Sequence, residues 1–190
     1  MIPNQLKKRS YFTTEEANNL GLSSRMISYY TKQGQLERIK RGVYKYSDFI
    51  PNIDFEWEDL AIAASNISEG VICLISALSY YDLTEENMRE YWIATPNQNS
   101  KASLPNTRIV RMRNTELGRK TIKIAGMKVS IFDKERTIVD SFRLLDIEVA
   151  IKALKFYMEA TKKPDFKKIY RYAKELRVEI EPYLIPYTVI

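Results

Sequence analysis

Residues 11 to 46, YFTTEEANNLGLSSRMISYYTKQGQLERIKRGVYKY, carry the local signals that decide the fold of the N-terminal part of this chain. Thr13 is followed three residues later by Glu16, the spacing of a capping box, in which each side chain binds the backbone N–H of the other residue. Gly21 then supplies the residue without a Cβ that ends many helices. We therefore predict a short first helix, of about two turns, that begins at Thr13.

A second helix is predicted between Ser23 or Ser24, either of which can cap it, and Gly34, which can end it. Its residues divide into two faces at helical spacing. Ile27 and Tyr30 face a core. The opposite face carries polar and basic side chains, at Arg25, Ser28, Tyr29 and Lys32. An exposed face of this chemistry is typical of a helix that binds in the major groove of DNA.

Two short strand-like runs follow, at 36–39 and 43–46, and Lys40, Arg41 and Gly42 join them. The glycine can take the positive φ that a tight hairpin turn needs. Helix, turn, helix and basic hairpin in this order are typical of a winged helix-turn-helix module, whose hairpin, the wing, contacts phosphates or the minor groove. For the wing tip alone, the alternative is an exposed hairpin that its charge keeps soluble.

The second helix and the wing together predict a set of DNA-contacting residues. Arg25 lies near the start of the helix, and arginine is the side chain best shaped to bind the two acceptors of a guanine edge. Ser24 and the free amides at the same helix start favour a phosphate. Arg38 and Lys45 are expected to support the wing tip with further positive charge. The predicted DNA-binding residues are Ser24, Arg25, Ser28, Tyr29, Lys32, Lys40 and Arg41.

The net charge of the chain is concentrated in the same region. The 190 residues contain 30 Lys and Arg and 24 Asp and Glu, a net charge of +6. Residues 1–50 hold nine of the basic and four of the acidic residues, so 21 and 20 remain for the rest, and five of the six net charges lie in this quarter. Such asymmetry indicates a polyanionic partner. The basic run Lys7, Lys8 and Arg9 is either a phosphate-contacting arm or a solvated terminus.

The composition argues against most enzyme classes. The chain has no histidine, which removes the commonest general base, the Ser-His-Asp arrangement and the histidine zinc sites. No glycine-rich phosphate loop of familiar spacing is present. Carboxylate chemistry with a divalent metal remains, but Glu135 and Asp140 are five residues apart and do not share a helical face. We therefore expect a protein that is not an enzyme, with no catalytic residue, no metal site and no cofactor.

Hydropathy and cysteine content indicate a soluble protein. No apolar stretch approaches the length of a membrane span, and no signal peptide pattern opens the chain. Cys73, the only cysteine, lies in an apolar run and is expected to be a core residue. The sequence predicts a cytoplasmic protein with no membrane association.

The sequence pattern changes at Pro51, which interrupts the preceding strand. Beyond it come an apolar helix, several short strand-like runs and, at the end, helices with apolar residues at three and four spacing. Ala125 and Gly126 form a credible hairpin turn between two of the runs. We predict the fold class α+β, with a winged helix-turn-helix domain at 1–50 and a larger mixed α+β domain at 51–190 that has a small central sheet and C-terminal helices.

Four motifs in order carry a resemblance to a known family. They are RIKRGVY at 38–44, ICLISALSYYDLT at 72–84, YWIATP at 91–96 and KERTIVD at 134–140. With these motifs the chain resembles the AbiEi family, the antitoxin and autorepressor half of bacterial type IV toxin-antitoxin systems, which act in abortive infection and phage defence. The resemblance covers most of the chain.

This resemblance implies a repressor that binds inverted repeats in its own promoter through the N-terminal domain. It also implies that the second, antitoxin domain opposes a nucleotidyltransferase-like toxin without forming a stable complex with it. The family motifs of that domain include Ser76, Arg136, Thr137 and Asp140. Considered from the residues alone, Arg136 and Asp140 are four apart on a predicted helix and able to pair, which is a structural role.

Two other functions stay open. The first is a transcriptional regulator without a toxin, whose second domain binds a small ligand or dimerises. The second is a metal-dependent nuclease that the winged module brings to DNA. For all of these functions a single winged module covers only a half-site, so we expect binding to double-stranded DNA as a homodimer or as cooperatively bound monomers.

Overall fold

The computed structural model describes residues 1–9, 11–49, 55–96 and 106–188. The chain divides into two compact units. The first consists of Met1–Asn66 and Lys123–Lys128, and the second of Ile67–Ile122 and Val129–Ile190. Besides the predicted N-terminal module, the first unit therefore contains a further helix and the tip of a later hairpin. The predicted domain boundary at residues 50 and 51 lies outside the described residues.

The first unit is a small α+β domain. Its elements are α1 at Asn4–Lys7, β1 at Phe12–Thr13, α2 at Thr14–Asn19, α3 at Ser24–Lys32, β2 at Leu36–Lys40, β3 at Val43–Tyr46 and α4 at Phe55–Asn66. β3 lies between β1 and β2 in an antiparallel sheet. This arrangement of helices, turn and hairpin confirms the predicted winged helix-turn-helix.

The helix starts follow from local side-chain bonds. Thr13 Oγ1 accepts the N–H of Glu16 at 3.1 Å, and the Glu16 carboxylate accepts the N–H of Thr13 at 2.8 Å, so the predicted capping box is present. Of the two serines that could cap α3, Ser23 does so, by accepting the N–H of Met26 at 3.4 Å. Gly21, just after α2, has a φ of 82°, a conformation that strains other residues.

One apolar cluster holds these elements together. It is formed by Ile2, Leu6, Phe12, Ala17, Leu22, Ile27 and Leu36. The helix α1, which was not predicted from the sequence, has only four residues and contributes Leu6 to this cluster. Lys7, the last residue of α1 and the first of the basic run, packs with its ammonium 5.2 Å from the centre of the Tyr46 ring.

The second unit is built on a mixed sheet. Its elements are β4 at Val71–Ile72, α5 at Leu74–Tyr80, β5 at Tyr91–Thr95, β6 at Thr107–Arg111, β7 at Arg119–Ile124, β8 at Met127–Phe132, α6 at Lys134–Leu144, α7 at Ile147–Ala160, α8 at Phe166–Leu176 and α9 at Glu181–Thr188. The strand order is β6-β5-β4-β8-β7, in which β5 runs parallel to β6 and β4 runs parallel to β8. A central sheet followed by helices confirms the predicted α+β class.

The β7–β8 hairpin turns at the predicted position. Ala125 and Gly126 both have positive φ, 49° and 85°, as a two-residue turn that matches the twist of a hairpin requires. The tip of this hairpin, Lys123–Lys128, belongs to the first compact unit although both strands pair in the sheet of the second.

The core of the second unit contains the cysteine. Cys73 is fully buried with Val71, Leu74, Ala94 and other apolar side chains, and burial raises the pKa of its thiol. This confirms Cys73 as a core residue. In the described part of the chain, no helix is both long enough and apolar enough to cross a membrane.

Candidate nucleic-acid interface

One face of α3 is open to solvent and carries the predicted DNA-contacting residues. Arg25 and the other four predicted positions on this helix are exposed: Ser24, Ser28, Tyr29 and Lys32. On the opposite side Ile27 is buried and Tyr30 is half-buried. The helix therefore has the two faces that the sequence predicted, while the contacts with DNA stay a prediction.

Tyr29 is held in place on this exposed face. Its side chain keeps 53% of its surface in solvent, and its ring packs edge-on against Tyr30 with 5.4 Å between the ring centres. Within the same helix the hydroxyl of Thr31 donates to the carbonyl of Ile27 at 2.9 Å. An exposed, supported tyrosine offers both an apolar ring and a hydroxyl to a base edge or a phosphate.

The wing is tighter than the sequence suggested. Lys40 pairs with Val43, so β2 runs through Lys40 and the turn contains two residues, Arg41 and Gly42, rather than the three predicted. The register of the β2–β3 pair shifts between Arg38 and Lys40, so the pairing is irregular just before the tip. Arg41 is exposed at the tip, whereas the side chain of Lys40 lies outside the described part of the structure.

The wing tip is bonded to the start of α2. The Gly42 carbonyl accepts the N–H of Thr14 at 2.9 Å and the Thr14 hydroxyl at 3.3 Å. Because α2 also packs with α3 in the core, these bonds fix the wing relative to the exposed helix face. A surface whose parts are fixed in this way has less conformational entropy to lose on binding a partner.

The position of Lys45 contradicts the expectation that this residue supports the wing tip. Its ammonium lies 3.1 Å from the Glu58 carboxylate, and the side chains are 18% and 2% exposed. A carboxylate that is removed from water needs a cation beside it, so Lys45 serves Glu58 and does not add charge to the wing tip. Arg38 remains exposed on β2.

The motif residues of the second unit lie in its interior. Ser76, Arg136, Thr137 and Asp140 have no exposed surface. Ser76 Oγ accepts the N–H of Trp92 at 2.9 Å, and Thr137 Oγ1 donates to the carbonyl of Asp133 at 2.8 Å. These side chains therefore connect elements of the second unit and present nothing to a partner molecule.

Arg136 makes the densest set of these contacts. Its Nε donates to Asp140 at 2.7 Å, and its Nη1 donates to the carbonyls of Asn114 and Leu117 at 3.1 and 2.9 Å. The guanidinium also lies 4.4 Å from the centre of the Phe132 ring. The predicted pair between positions 136 and 140 is confirmed, and the two Nη1 bonds anchor the loop before β7 to α6.

The contact between the loop before β7 and Arg136 requires a glycine at position 118, which was not predicted from the sequence. Its φ is 73°, and a Cβ at this position would lie 2.6 Å from the Cβ of Arg136. Its carbonyl also accepts the N–H of Asp133 at 2.7 Å. A residue with a side chain here would push the loop away from the start of α6.

The carboxylates near Arg136 are bound by protein groups. Lys168 Nζ lies 2.9 Å from Glu135 and 3.1 Å from Asp133, while Tyr157 and Tyr172 donate to Glu135 and Asp133 at 2.8 and 3.0 Å. Burial alone would raise the pKa of Glu135, but the hydrogen bonds from Lys168 and Tyr157 outweigh it and lower that pKa. Within the described ranges no three Cys, Asp or Glu side chains are placed to hold a metal ion.

Comparison with known proteins concerns the N-terminal segment. A family model described as a transcriptional regulator, AbiEi antitoxin, matches residues 3–46. The AbiEi resemblance is confirmed over this segment. Residues 3–46, the AbiEi segment, run from α1 through the wing and include the whole exposed face of α3. No curated protein matches the chain.

We predict that Arg136→Met lowers the free energy of unfolding of the second unit by about 3–5 kcal/mol, because it leaves Asp140 buried without its main partner. The double variant Arg136→Met with Asp140→Leu should recover much of this loss, since no buried charge then stays unpaired. Urea denaturation followed by circular dichroism measures both. A double variant no more stable than the single one would show that the pair is not the source of the loss.

A second prediction concerns acid stability. Because the folded pKa of Glu135 is lowered, its ionised form stabilises the fold above about pH 4.5, and this contribution disappears as the pH falls through the folded pKa. Glu135→Gln should therefore be less stable than wild type at pH 6, and the difference should shrink towards pH 3. Urea midpoints across this range measure it, with the exposed Glu148→Gln as the matched control. A pH-independent difference would contradict the assignment.

Proposed function

We propose that this protein is a DNA-binding transcriptional autorepressor and the antitoxin of a type IV toxin-antitoxin system, located in the cytoplasm. The observation that supports DNA binding most directly is the exposed polar and basic face of α3 beside a wing that is bonded in place. The match of the AbiEi segment to a family of transcriptional regulators and antitoxins supports the same proposal.

In this proposal α3 enters the major groove. The helix has nine residues, about 13 Å, and its exposed face presents Arg25 and Ser28 towards base edges, with Tyr29 and Lys32 beside them. Ser24, at the helix start, binds a backbone phosphate. Lys40 and Arg41 of the wing contact phosphates or the minor groove of the adjoining duplex. Base contacts provide the specificity, and phosphate contacts provide most of the affinity.

Autorepression follows from where and how such a module binds. One copy of α3 reads only a half-site, so two copies on an inverted repeat raise the affinity through their high effective concentration. A homodimer and a cooperative pair of monomers both meet this requirement. Binding of this kind at the protein's own promoter would exclude RNA polymerase and limit synthesis.

The antitoxin activity is assigned to the second unit. The AbiEi-like motifs beyond residue 46 all belong to it, and the most polar of their residues form its internal bonds. Because Arg136 and Asp140 are buried, a role for them in opposing a nucleotidyltransferase-like toxin is indirect, through the fold that they maintain. The surface of the second unit would then act on the toxin or on its target without a stable complex.

A second candidate function is a ligand-responsive regulator without a toxin. The observation in its favour is an open cavity of about 600 Å³ in the second unit, at α8 and the segment leading into α9. It is lined by Tyr170, Ala173, Lys174, Val178, Glu179, Glu181 and Pro182. This volume is within the range of small-molecule sites. A toxin-rescue assay separates the two candidates, because only the antitoxin restores growth.

The first functional prediction is that Arg25→Ala weakens binding to the protein's own promoter by about 1–3 kcal/mol, roughly 5- to 150-fold, with much less effect on random DNA. The reason is that a guanine contact is lost while most phosphate contacts remain. Fluorescence anisotropy with both duplexes measures this. Arg89→Ala, which removes an equal charge from an exposed position of the second unit, is the matched control. Equal losses on both duplexes would remove Arg25 from the base contacts.

The second functional prediction concerns the toxin. When the protein and a nucleotidyltransferase encoded beside its gene are expressed from unrelated promoters, wild type should restore growth and Arg25→Ala should restore it equally. The reason is that the antitoxin surface belongs to the second unit, whereas Arg25 acts on DNA. Colony counts at matched protein levels measure this. Failure of wild type to relieve toxicity would contradict the antitoxin assignment.

A further inference from the structure

The first compact unit contains a segment far outside the AbiEi segment. This is the hairpin tip, Lys123–Lys128. The Tyr11 hydroxyl donates to the carbonyl of Ala125 at 2.9 Å. A Cβ at Gly126 would lie 3.6 Å from the same hydroxyl, so the turn rests against this side chain. One hydrogen bond and a close approach thus join the tip to the residues just before β1.

Tyr11 and the hairpin tip border a cavity with a basic lining. Its volume is about 490 Å³, and it is lined by Lys8, Arg9, Tyr11, Glu16, Lys123, Ala125 and Gly126. Arg9 is paired with Glu16 at 2.9 Å. Lys8 and Lys123 are exposed, and neither has an ion-pair partner among the described residues. The cavity therefore carries two positive charges outside ion pairs, Lys8 from the N-terminal segment and Lys123 from the hairpin tip.

The cavity and the wing tip lie at the same end of α2. Glu16, which lines the cavity, is in the first turn of this helix, and Thr14, in the same turn, binds the carbonyl of Gly42 at the wing tip. Two residues of helix rise by only about 3 Å but turn by about 200°, so the cavity and the wing tip lie at the same level of α2 on different sides of it. A duplex carries a negative charge for about every 1.7 Å of its axis, so one that runs past this end of α2 offers closely spaced phosphates to exposed lysines there.

We propose that Lys8 and Lys123 form a phosphate-contacting site for duplex DNA, which the hairpin tip completes. The proposal rests on the proposed DNA-binding function and extends the interface beyond α3 and the wing. The site recognises the phosphodiester backbone and carries no sequence information. Of the two interpretations of the N-terminal basic run, this selects the phosphate-contacting arm, with Lys8 as the contacting residue, because Lys7 packs on Tyr46 and Arg9 is paired with Glu16.

The test is the salt dependence of DNA binding by the full chain. Each phosphate contact adds about 0.9 to the magnitude of the slope of log Kobs against log salt concentration. Lys8→Ala and Lys123→Ala should each reduce this slope by about 0.9, and the double variant should reduce it by about 1.8. Both variants should weaken promoter DNA and random DNA by the same factor, unlike Arg25→Ala.

Two further variants make the result specific. Lys123→Arg keeps the charge and should keep the wild-type slope, which separates a lost contact from a disturbed hairpin. Lys152→Ala removes an exposed lysine of α7 in the second unit and should leave the slope unchanged. Wild-type slopes in Lys8→Ala and Lys123→Ala, with specific binding intact, would overturn this site alone. Absence of salt-dependent DNA binding by wild type would instead overturn the proposed function.

Discussion

The second unit depends on the hydrogen bonds of one buried group, the guanidinium of Arg136. A charge without solvent must have its donors bound, and this one is bound by Asp140 and by the carbonyls of Asn114 and Leu117. Those bonds hold the loop before β7 against α6, and the guanidinium also lies over the ring of Phe132 at the end of β8. They also explain why Gly118 has no side chain. The family-like motif around Arg136 therefore describes how the unit is assembled, and any antitoxin surface is built upon that assembly.

The first unit differs, because most of its charged side chains face water, although Glu58 is buried and paired with Lys45. Its interior is aliphatic and aromatic, and bonds from the start of α2 hold the wing beside α3. Polar and basic groups on α3 and Arg41 are consequently available to a polyanion without rearrangement. Lys45 and Arg9 are basic but already paired, so the count of positive residues overstates the unpaired positive charge of this unit.

Local spacing accounts for what could be predicted. The capping box at Thr13, the turn at Ala125 and Gly126, and the pair Arg136–Asp140 join residues at most four apart, and such short separations leave few geometries. The two faces of α3 follow from helical periodicity in the same way. Missed features join distant residues: Lys45 with Glu58, Lys168 with Glu135, and Tyr11 with Ala125. Nothing in one segment of the sequence states which distant segment packs beside it.

The sequence by itself determined the winged helix-turn-helix, the α+β class and the candidate DNA-contacting residues, because caps, turns and amphipathic faces are properties of short segments. Only the tertiary structure decided that α1 completes the core of the first unit, that the hairpin tip at 123–128 belongs to that unit, and that the motif residues of the second unit are buried. These outcomes depend on side-chain packing and on the need to pair every buried charge. Both conditions apply to the folded chain as a whole.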